Sequence, residues 1–487
     1  MAKRKRDSAS EQGKVKGETA VKKTKESAVE QPGADTDQPF TIQIITGSYD
    51  RVLHGVTATI EPGKDGVQFA DTFLFDAHTS AIRCLALSPP SVPAPGQSQK
   101  VLLATGGTDE RINVYNISAH PPSKKSSDQQ LLSSIASRPI LENSKNREVG
   151  NLMHHSSKIT RLAFPTRSKL LSSAEDSTIA VTRTRDWSLL STIKVPVPKV
   201  MGRPSGDTAP MGGTPSGVND FAIHPSMKLM ISVSKGERSM RLWNLVTGKK
   251  AGVLNFERDV LQEIGEGRHT TGEGHRVVWG SSPDEGDEFA VAFDREILVF
   301  GMDSKPRCRV IGNTQTKVHQ LRYVKVDEES ETTVLAVSTE DGRILLFSTR
   351  TKDLKSSGTG EKAPLLPSAR LIAQLGGKEG GVSGRIKDFA ILKAPSDTNN
   401  WYIVSGSSDG KIRLWSVSRE DVSLEKKKKK AAGKRIGKLL GTYESHNRIT
   451  CLEAFVMIPR PEGVEDSEDE DIEGESEEGS DHGSDEE

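Results

Sequence analysis

One pattern of apolar and polar residues recurs along most of the chain. A short apolar run ending in small residues leads into a turn with Asp or Gly, and then into a β-branched run that usually ends in an aromatic residue. The seven copies are QIITGSYD/RVLHGV, LLATGGTDE/RINVYN, LLSSAEDS/TIAVTR, LMISVSKGER/SMRLWN, FAVAFD/REILVFG, VLAVSTEDG/RILLFS and YIVSGSSDG/KIRLWS. Because strong β-formers flank tips of Ser, Gly and Asp, which tolerate the angles of a tight turn, each copy predicts an antiparallel hairpin.

Further strands flank these hairpins. Alternating apolar runs precede most of them: AIRCLALS, KITRLAFP, GVNDFAIHP, HRVVWG, VHQLRYV, RIKDFAIL and RITCLEAF. Apolar runs such as LLSTIKV and RLIAQL supply a fourth strand. The spacing of these four-stranded units exceeds the roughly 40–45 residues of an uninterrupted propeller repeat. We assign the surplus to polar loops at 119–148, 196–217, 351–367 and 419–437.

The two ends of the repeat array complete each other. The array begins with an orphan hairpin, TIQIITGSYDRVLHGVTATI, followed by DTFLF, and ends with the single strand RITCLEAF. Three N-terminal strands and one C-terminal strand make a seventh blade and leave no open edge at the junction. We therefore predict an all-β fold, a seven-bladed propeller over 39–459, closed by residues 41–60 lying beside residues 449–456.

Charge is sorted unevenly along the chain. Its 67 Lys and Arg residues balance 67 Asp and Glu residues, but the start is basic and no Lys or Arg follows Arg460. Apolar residues make up only 34% of the chain, and the ends lack the periodicity of a packed domain. We predict that 1–38 and 460–487 are disordered, the second as an acidic tail. Four tail serines precede acidic residues and suit an acidophilic kinase, Ser467, Ser476, Ser480 and Ser484.

Two basic clusters are candidate interaction sites. The first resembles a bipartite nuclear-import signal, with a solvated terminus as the alternative; it comprises Lys3, Arg4, Lys5, Arg6, Lys22, Lys23 and Lys25. The second can displace counterions from RNA, with a solvated loop as the alternative; it comprises Lys426, Lys427, Lys428, Lys429, Lys430, Lys434 and Arg435. The second cluster lacks interleaved aromatic residues, so we expect contact with phosphate groups rather than with bases.

Catalytic and metal-binding signatures are absent from the sequence. It contains no G-x-x-x-x-G-K-[ST] or H-E-x-x-H motif. Cys84, Cys308 and Cys451 form no C-x-x-C pair, and no stretch approaches the roughly 18 apolar residues of a membrane span. The adjacent His154 and His155 are assigned to the fold, because neighbours on a strand point to opposite faces. We expect no enzyme activity, cofactor, catalytic or metal site, membrane contact or small-molecule substrate.

Parts of a polar set accompany the hairpins: a His before the first strand, Ser or Thr in the second, Asp in the turn and an aromatic residue in the third. A buried turn Asp needs donors, so we assign the set a structural role within each blade. Its members are His78, Thr105, Asp109, Tyr115, His155, Ser172, Asp176, Trp243, Ser405, Asp409 and Trp415. The set is incomplete, since Thr182 replaces the aromatic residue in blade two and blade six has no His.

Several segments within 41–458 occur in a distinctive order: ITGSYDRVLHG, FLFDAHTSAIRCLAL, LATGGTDERINVY, HHSSKITRLAF, LLSSAEDSTI, IHPSMKLMISV, RLWNLVTGK and VSGSSDGKIRLWSV. This order resembles that of the maintenance-of-killer/PAK-interacting WD-repeat proteins. GSYDRVLHG and HHSSKITRLAF are the most specific, because they depart from the ordinary WD-repeat consensus. The insertions at 119–148 and 196–217 and the charged tails depart from the family pattern.

The resemblance implies a scaffold of the nucleus and nucleolus that acts in ribosome biogenesis. Its implied partners are the pre-ribosomal large-subunit particle, assembly factors, ribosomal proteins and the phosphate backbone of rRNA, with the propeller acting as a monomer within a large complex. The alternative is an adaptor that binds and negatively regulates a PAK-type kinase. A propeller hydrolase is a further rival, which a bound metal would favour.

Overall fold

Short β-strands make up most of the described chain. The computed structural model describes residues 39–460, apart from 62–65, 95–96, 123–139, 142, 144, 199–215, 267–270, 283, 285, 313, 327–332, 356–365, 395–396 and 423–432. The described residues belong to one compact unit. The segments predicted to be disordered, 1–38 and 460–487, lie outside the described residues except for Arg460.

Six of the seven sheets are four-stranded and antiparallel, the sheet of blade five has a short fifth strand at its outer edge, and within blades one to six the strands follow in chain order. The first three strands of the chain are β1 (Phe40–Ser48), β2 (Val52–Ile60) and β3 (Val67–Asp76). Blades one and two contain β4 (Ile82–Leu87), β5 (Lys100–Gly107), β6 (Ile112–Ser118), β7 (Arg147–Leu152), β8 (Ile159–Thr166), β9 (Lys169–Ala174), β10 (Thr178–Arg183) and β11 (Leu189–Lys194). Blades three and four contain β12 (Val218–Ile223), β13 (Leu229–Ser234), β14 (Ser239–Asn244), β15 (Lys249–Asn255), β16 (Arg276–Ser282), β17 (Gly286–Ala292), β18 (Ile297–Gly301) and β19 (Pro306–Val310). Blades five and six contain β20 (Val318–Lys325), β21 (Thr333–Thr339), β22 (Arg343–Ser348), β23 (Arg370–Gly376), β24 (Ile386–Ala394), β25 (Asp397–Ser407), β26 (Lys411–Ser418) and, beyond the short β27 (Lys434–Arg435), β28 (Lys438–Glu444).

The seventh blade joins the two ends of the array. Its order is β29 (Ile449–Val456), β1, β2, β3. β29 pairs antiparallel with β1 from Ile42 opposite Val456 to Ser48 opposite Ile449. The prediction of a seven-bladed propeller closed by N-terminal strands on the C-terminal strand is confirmed.

The innermost strand of each blade faces the axis of the ring. These strands are β4, β8, β12, β16, β20, β24 and β29, and each contacts the next in a closed circle. All run in the same direction, since each begins beside the hairpin turn of its own blade; Ile82 lies opposite Gly107, for example. We call the end of the ring where the inner strands begin the entry face, and the end where they finish the exit face.

Apolar side chains from neighbouring blades form the core. Ile44 and Val56 of blade seven pack with Val404 of blade six, and all three are fully buried. Ile112 of blade one packs in the same way with Ile159 of blade two. Because two blades share each cluster, separating one blade exposes the apolar surface of its neighbours to water.

The connections contain short elements that the sequence analysis did not predict. Helix α1 (Arg258–Glu263) joins blades three and four, and helix α2 (Arg419–Val422) and β27 lie within the predicted loop 419–437. β27 pairs in parallel with β23, and Ile140 of the predicted loop 119–148 forms a parallel bridge with β3. Both pairings cover an outer sheet edge with a segment distant in the chain, which local patterns cannot reveal.

Candidate docking surfaces and the networks that support them

In blade one the predicted polar set comes together around His78. The ring places Nδ1 3.0 Å from Asp109 Oδ1 and Nε2 2.8 Å from Thr105 Oγ1. The backbone N–H of Thr79 donates to Asp109 Oδ2 at 3.0 Å. Burial lowers the pKa of His78 despite the opposing effect of Asp109. The network therefore joins the start of the inner strand to the hairpin turn on the entry face.

Tyr115 occupies the aromatic position of blade one, but its ring contacts blade seven. It lies opposite Leu103 in the register, and its ring packs edge-on against Phe75 of blade seven at 5.5 Å. Burial raises the pKa of Tyr115 to about 12. The same side chain helps line a cavity of about 300 Å³ between blades seven and one, together with Phe73 and Arg147.

Blade two has the same His-centred arrangement. His155 Nε2 lies 2.8 Å from Ser172 Oγ, and Nδ1 lies 3.1 Å from Asp176 Oδ2. Thr182, at the aromatic position, lies 3.2 Å from His154 Nε2. The two histidines follow the end of β7 and do not lie within a strand. The prediction that they occupy opposite faces of one strand was therefore wrong. Each ring nevertheless has its own hydrogen-bond partner within the blade.

Asp176 makes this network sensitive to acid. Burial raises its pKa, but hydrogen bonds from His155 and Thr178 outweigh burial and lower the pKa to about 2. A carboxyl group with a lowered folded pKa contributes stability above its unfolded pKa, and this stability is lost as the pH falls through the folded pKa. We expect Asp176→Asn to reduce the free energy of unfolding at about pH 6, and the deficit to shrink between about pH 4 and pH 2.

Urea denaturation of both proteins across this pH range measures the effect. Asp284→Asn, at an exposed site, is the control and should match the wild type throughout. A deficit for Asp176→Asn that stays constant down to about pH 2 would contradict the expectation.

Trp243 and Trp415 each donate an indole N–H to a serine on the adjacent strand. Trp243 Nε1 lies 2.8 Å from Ser232 Oγ, and Trp415 Nε1 lies 3.4 Å from Ser405 Oγ. Asp409 of blade six has no His partner; Arg413 Nη2 donates to its Oδ2 at 3.1 Å. Arg413 therefore takes the place of His as the partner of the turn Asp, although it lies on β26 and not before the inner strand.

Two buried aspartates that the sequence analysis did not single out join neighbouring inner strands. Asp220 of β12 accepts the N–H of Val277 at 3.0 Å, and Asp388 of β24 accepts the N–H of Leu452 at 3.1 Å. The sequence does contain a signal for these two residues, because each is the first residue of the tetrapeptide DFAI, which occurs twice in the chain. The carboxylates reach across blades, and a pattern within single repeats does not reveal this role.

The closing blade has its own polar link to blade six. His54 Nε2 lies 2.8 Å from Asp71 Oδ1, and Tyr443 OH also donates to Asp71. His54 belongs to the distinctive segment GSYDRVLHG. This link connects the N-terminal strands of the closure to β28.

The structure describes only part of the basic clusters. Lys434 and Arg435 are exposed on β27, where Lys434 pairs with Asp421 at 3.8 Å and Arg435 with Glu379 at 2.5 Å. Five lysines at the predicted RNA contact, 426–430, and the seven residues of the predicted import signal lie outside the described residues. The described pair therefore forms part of the rim between blades five and six.

The described residues contain no group of three or more His, Cys, Asp or Glu side chains arranged to hold a metal ion. Cys84, Cys308 and Cys451 are buried free thiols. No helix in the described ranges has the length and apolar character needed to cross a bilayer.

A family model agrees with this architecture. The model "WD domain, G-beta repeat" matches residues 146–181 and 378–416. The first match runs from β7 into β10, so one sequence repeat includes the outer strand of one blade and three strands of the next. This offset is the same one that leaves a single strand at the C-terminal end of the array.

Curated relatives match most of the chain. The Xenopus laevis "p21-activated protein kinase-interacting protein 1-like" is 24% identical over 88% of this chain and 85% of its own length. "Protein MAK11" of Saccharomyces cerevisiae is 26% identical over 78% of each chain. "Shk1 kinase-binding protein 15" of Schizosaccharomyces pombe is 24% identical over 65% of this chain and 71% of its own length.

Proposed function

This chain belongs to the maintenance-of-killer/PAK-interacting WD-repeat family, and from that premise we propose that it is a non-enzymatic nucleolar scaffold of large-ribosomal-subunit assembly. It docks assembly factors and ribosomal proteins and contacts the phosphate backbone of precursor rRNA. The resemblance of the distinctive segments supports the ribosomal role. Fold alone does not, because WD-repeat propellers serve many functions.

The closed ring is the observation that carries the scaffold role. Both ends of the array are fixed in one blade by the β1–β29 pairing, and buried polar links such as Asp388 to Leu452 tie the inner strands together. A ring of this kind presents loops from several blades on a rigid support, as docking requires.

The surroundings of the lysine segment support contact with RNA. In sequence the five lysines lie between Val422, which is fully buried, and β27, which is paired with β23. Both flanks of the segment are therefore fixed to the rim of blades five and six. A cationic segment anchored at both ends binds phosphate groups with less loss of conformational freedom than a free tail does.

Affinity purification of the full-length tagged protein, with identification of both RNA and proteins, tests the proposed function. We expect enrichment of large-subunit precursor RNA and a nucleolar location. Co-purification of a PAK-type kinase from the cytoplasm, without precursor RNA, would instead support the adaptor function that the names of two relatives suggest.

Replacing the five lysines at 426–430 by serine should weaken co-sedimentation with pre-ribosomal particles at moderate salt. If all five contact phosphate, the slope of log affinity against log salt should fall by up to about four. The matched control removes five exposed lysines of blades two and three, Lys169, Lys194, Lys228, Lys249 and Lys250. Equal losses in both variants, or none in the first, would contradict RNA contact by this segment.

A further inference from the structure

Three cationic side chains stand at the entry-face ends of inner strands. Arg83, Arg276 and Lys387 each stand first or second in an inner strand, in blades one, four and six. Arg276 Nε lies 3.3 Å from the backbone oxygen of His319, and Lys387 Nζ lies 3.4 Å from Nε2 of the same histidine. We call Arg83, Arg276 and Lys387 the entry cluster.

The pKa values of His319 and Lys387 are lowered by burial and by neighbouring positive charges. Burial, followed by the positive charges of Lys387, Lys317 and Arg276, lowers the pKa of His319 to about 3, so its ring is neutral and can accept a hydrogen bond. Burial and the neighbouring Arg385 likewise lower the pKa of Lys387. Arg276 and Lys387 therefore lie close enough to His319 for their positive charges to act on its ring.

Few carboxylates offset the cluster. Asp220 is shared between two guanidinium groups, those of Arg161 at 3.5 Å and Arg276 at 3.9 Å. Within the described ranges, Arg83 and Lys387 form no ion pair with an acidic side chain. Lys387 is half-buried and Arg83 is exposed. A half-buried cation without a counter-charge gains more from an incoming anion than an exposed surface cation does.

The surrounding part of the entry face is different, because its cations are already paired. Lys317 lies 2.8 Å from Asp294, and Arg385 lies 3.1 Å from Glu340. A broad polyanion laid across this face would meet Asp294 and Glu340 as well as the cations. A single carboxylate that enters near the axis meets the entry cluster first.

We propose that the entry cluster binds an acidic side chain of an extended peptide segment belonging to a protein partner. The positive charge of the entry cluster complements a negatively charged ligand. Because the surrounding cations are already paired with Asp294 and Glu340, a narrow peptide fits this face better than an RNA duplex does. The chain's own acidic tail begins beyond Arg460, whose guanidinium donates to the backbone oxygen of Pro121. Arg460 follows the end of β29 and so lies at the exit face, the end of the ring opposite the entry cluster.

Fluorescence anisotropy with purified full-length protein tests the proposal. The probes are a fluorescein-labelled glutamate-rich peptide and its glutamine counterpart. We expect the glutamate peptide to bind more tightly, and the double variant R83Q/K387Q to weaken its binding by about tenfold or more. The control K249Q/K250Q, which removes two exposed charges from β15, should change binding by less than about twofold.

Further measurements distinguish peptide binding from binding of RNA or of the chain's own tail, and distinguish a loss of binding from a folding defect. Lys387→Arg should keep most of the affinity, and urea denaturation should show R83Q/K387Q as stable as the control. Equal binding of the two peptides, or equal loss in both double variants, would overturn the proposal. Tighter binding of an RNA duplex through the same residues would favour RNA, and a large gain on truncation after Arg460 would favour the chain's own tail; either result would also overturn it. The assay uses purified protein, so its outcome does not depend on the ribosomal role.

Discussion

Ile44→Asp is expected to unfold the propeller or to reduce its free energy of unfolding by at least about 4 kcal/mol. Ile44 is fully buried in the central part of β1, where it lies opposite Val56 of β2 and Ala454 of β29. A carboxylate at this position loses its hydration without gaining a partner. The effect is large because β1 holds both ends of the array together.

Urea denaturation followed by circular dichroism measures this change. Val246→Asp is the matched control, since Val246 is 75% exposed in the turn between β14 and β15, and it should stay within about 0.5 kcal/mol of the wild type. If Ile44→Asp lost less than about 1 kcal/mol, the closure would not be the element on which the ring depends.

Glu288→Ala should have the second-largest effect, a loss of about 3–5 kcal/mol in the free energy of unfolding. The Glu288 side chain is fully buried; it pairs with Arg307 and accepts hydrogen bonds from Tyr323 OH at 2.9 Å and from Thr349 Oγ1 at 2.6 Å. Its removal leaves a buried guanidinium without this carboxylate. The network joins blades four and five, so the substitution weakens an inter-blade contact.

Asp287→Ala is the neighbouring control for Glu288→Ala. Its carboxylate is 46% exposed and pairs with His224, so its loss should cost no more than about 1 kcal/mol. Glu288→Gln keeps a hydrogen-bond acceptor without the charge and should fall between the two. Equal stabilities of the Glu288→Ala and Asp287→Ala variants would show that the buried network contributes little.

Local patterns predicted the blades well because each hairpin is defined by contiguous residues. The alternation in LLATGGTDERINVYN, for example, identifies both β5 and β6 and the turn between them. Counting strands at the two ends was sufficient to predict closure. The short α1 was missed, because its six residues are too few for helical periodicity to be distinguished from neighbouring apolar strands.

The polar networks were predicted only where they stay within a blade. His78 and His155 could be matched to their turn aspartates because both members belong to one repeat. Asp220, Asp388, Asp71 and Glu288 were missed as network members, since each has at least one partner on an adjacent blade that is distant in sequence. The entry cluster depends in the same way on residues from three blades.

The sequence by itself determined the number of blades, the way the ring closes and the family, because each of these depends on short-range alternation or on the order of contiguous segments. Only the tertiary structure decided which charges face one another across blades and which remain without a partner near the axis. Pairing energies depend on distance and burial in three dimensions, and residues such as Arg276 and Lys387 come together at His319 only once blades four, five and six have packed side by side.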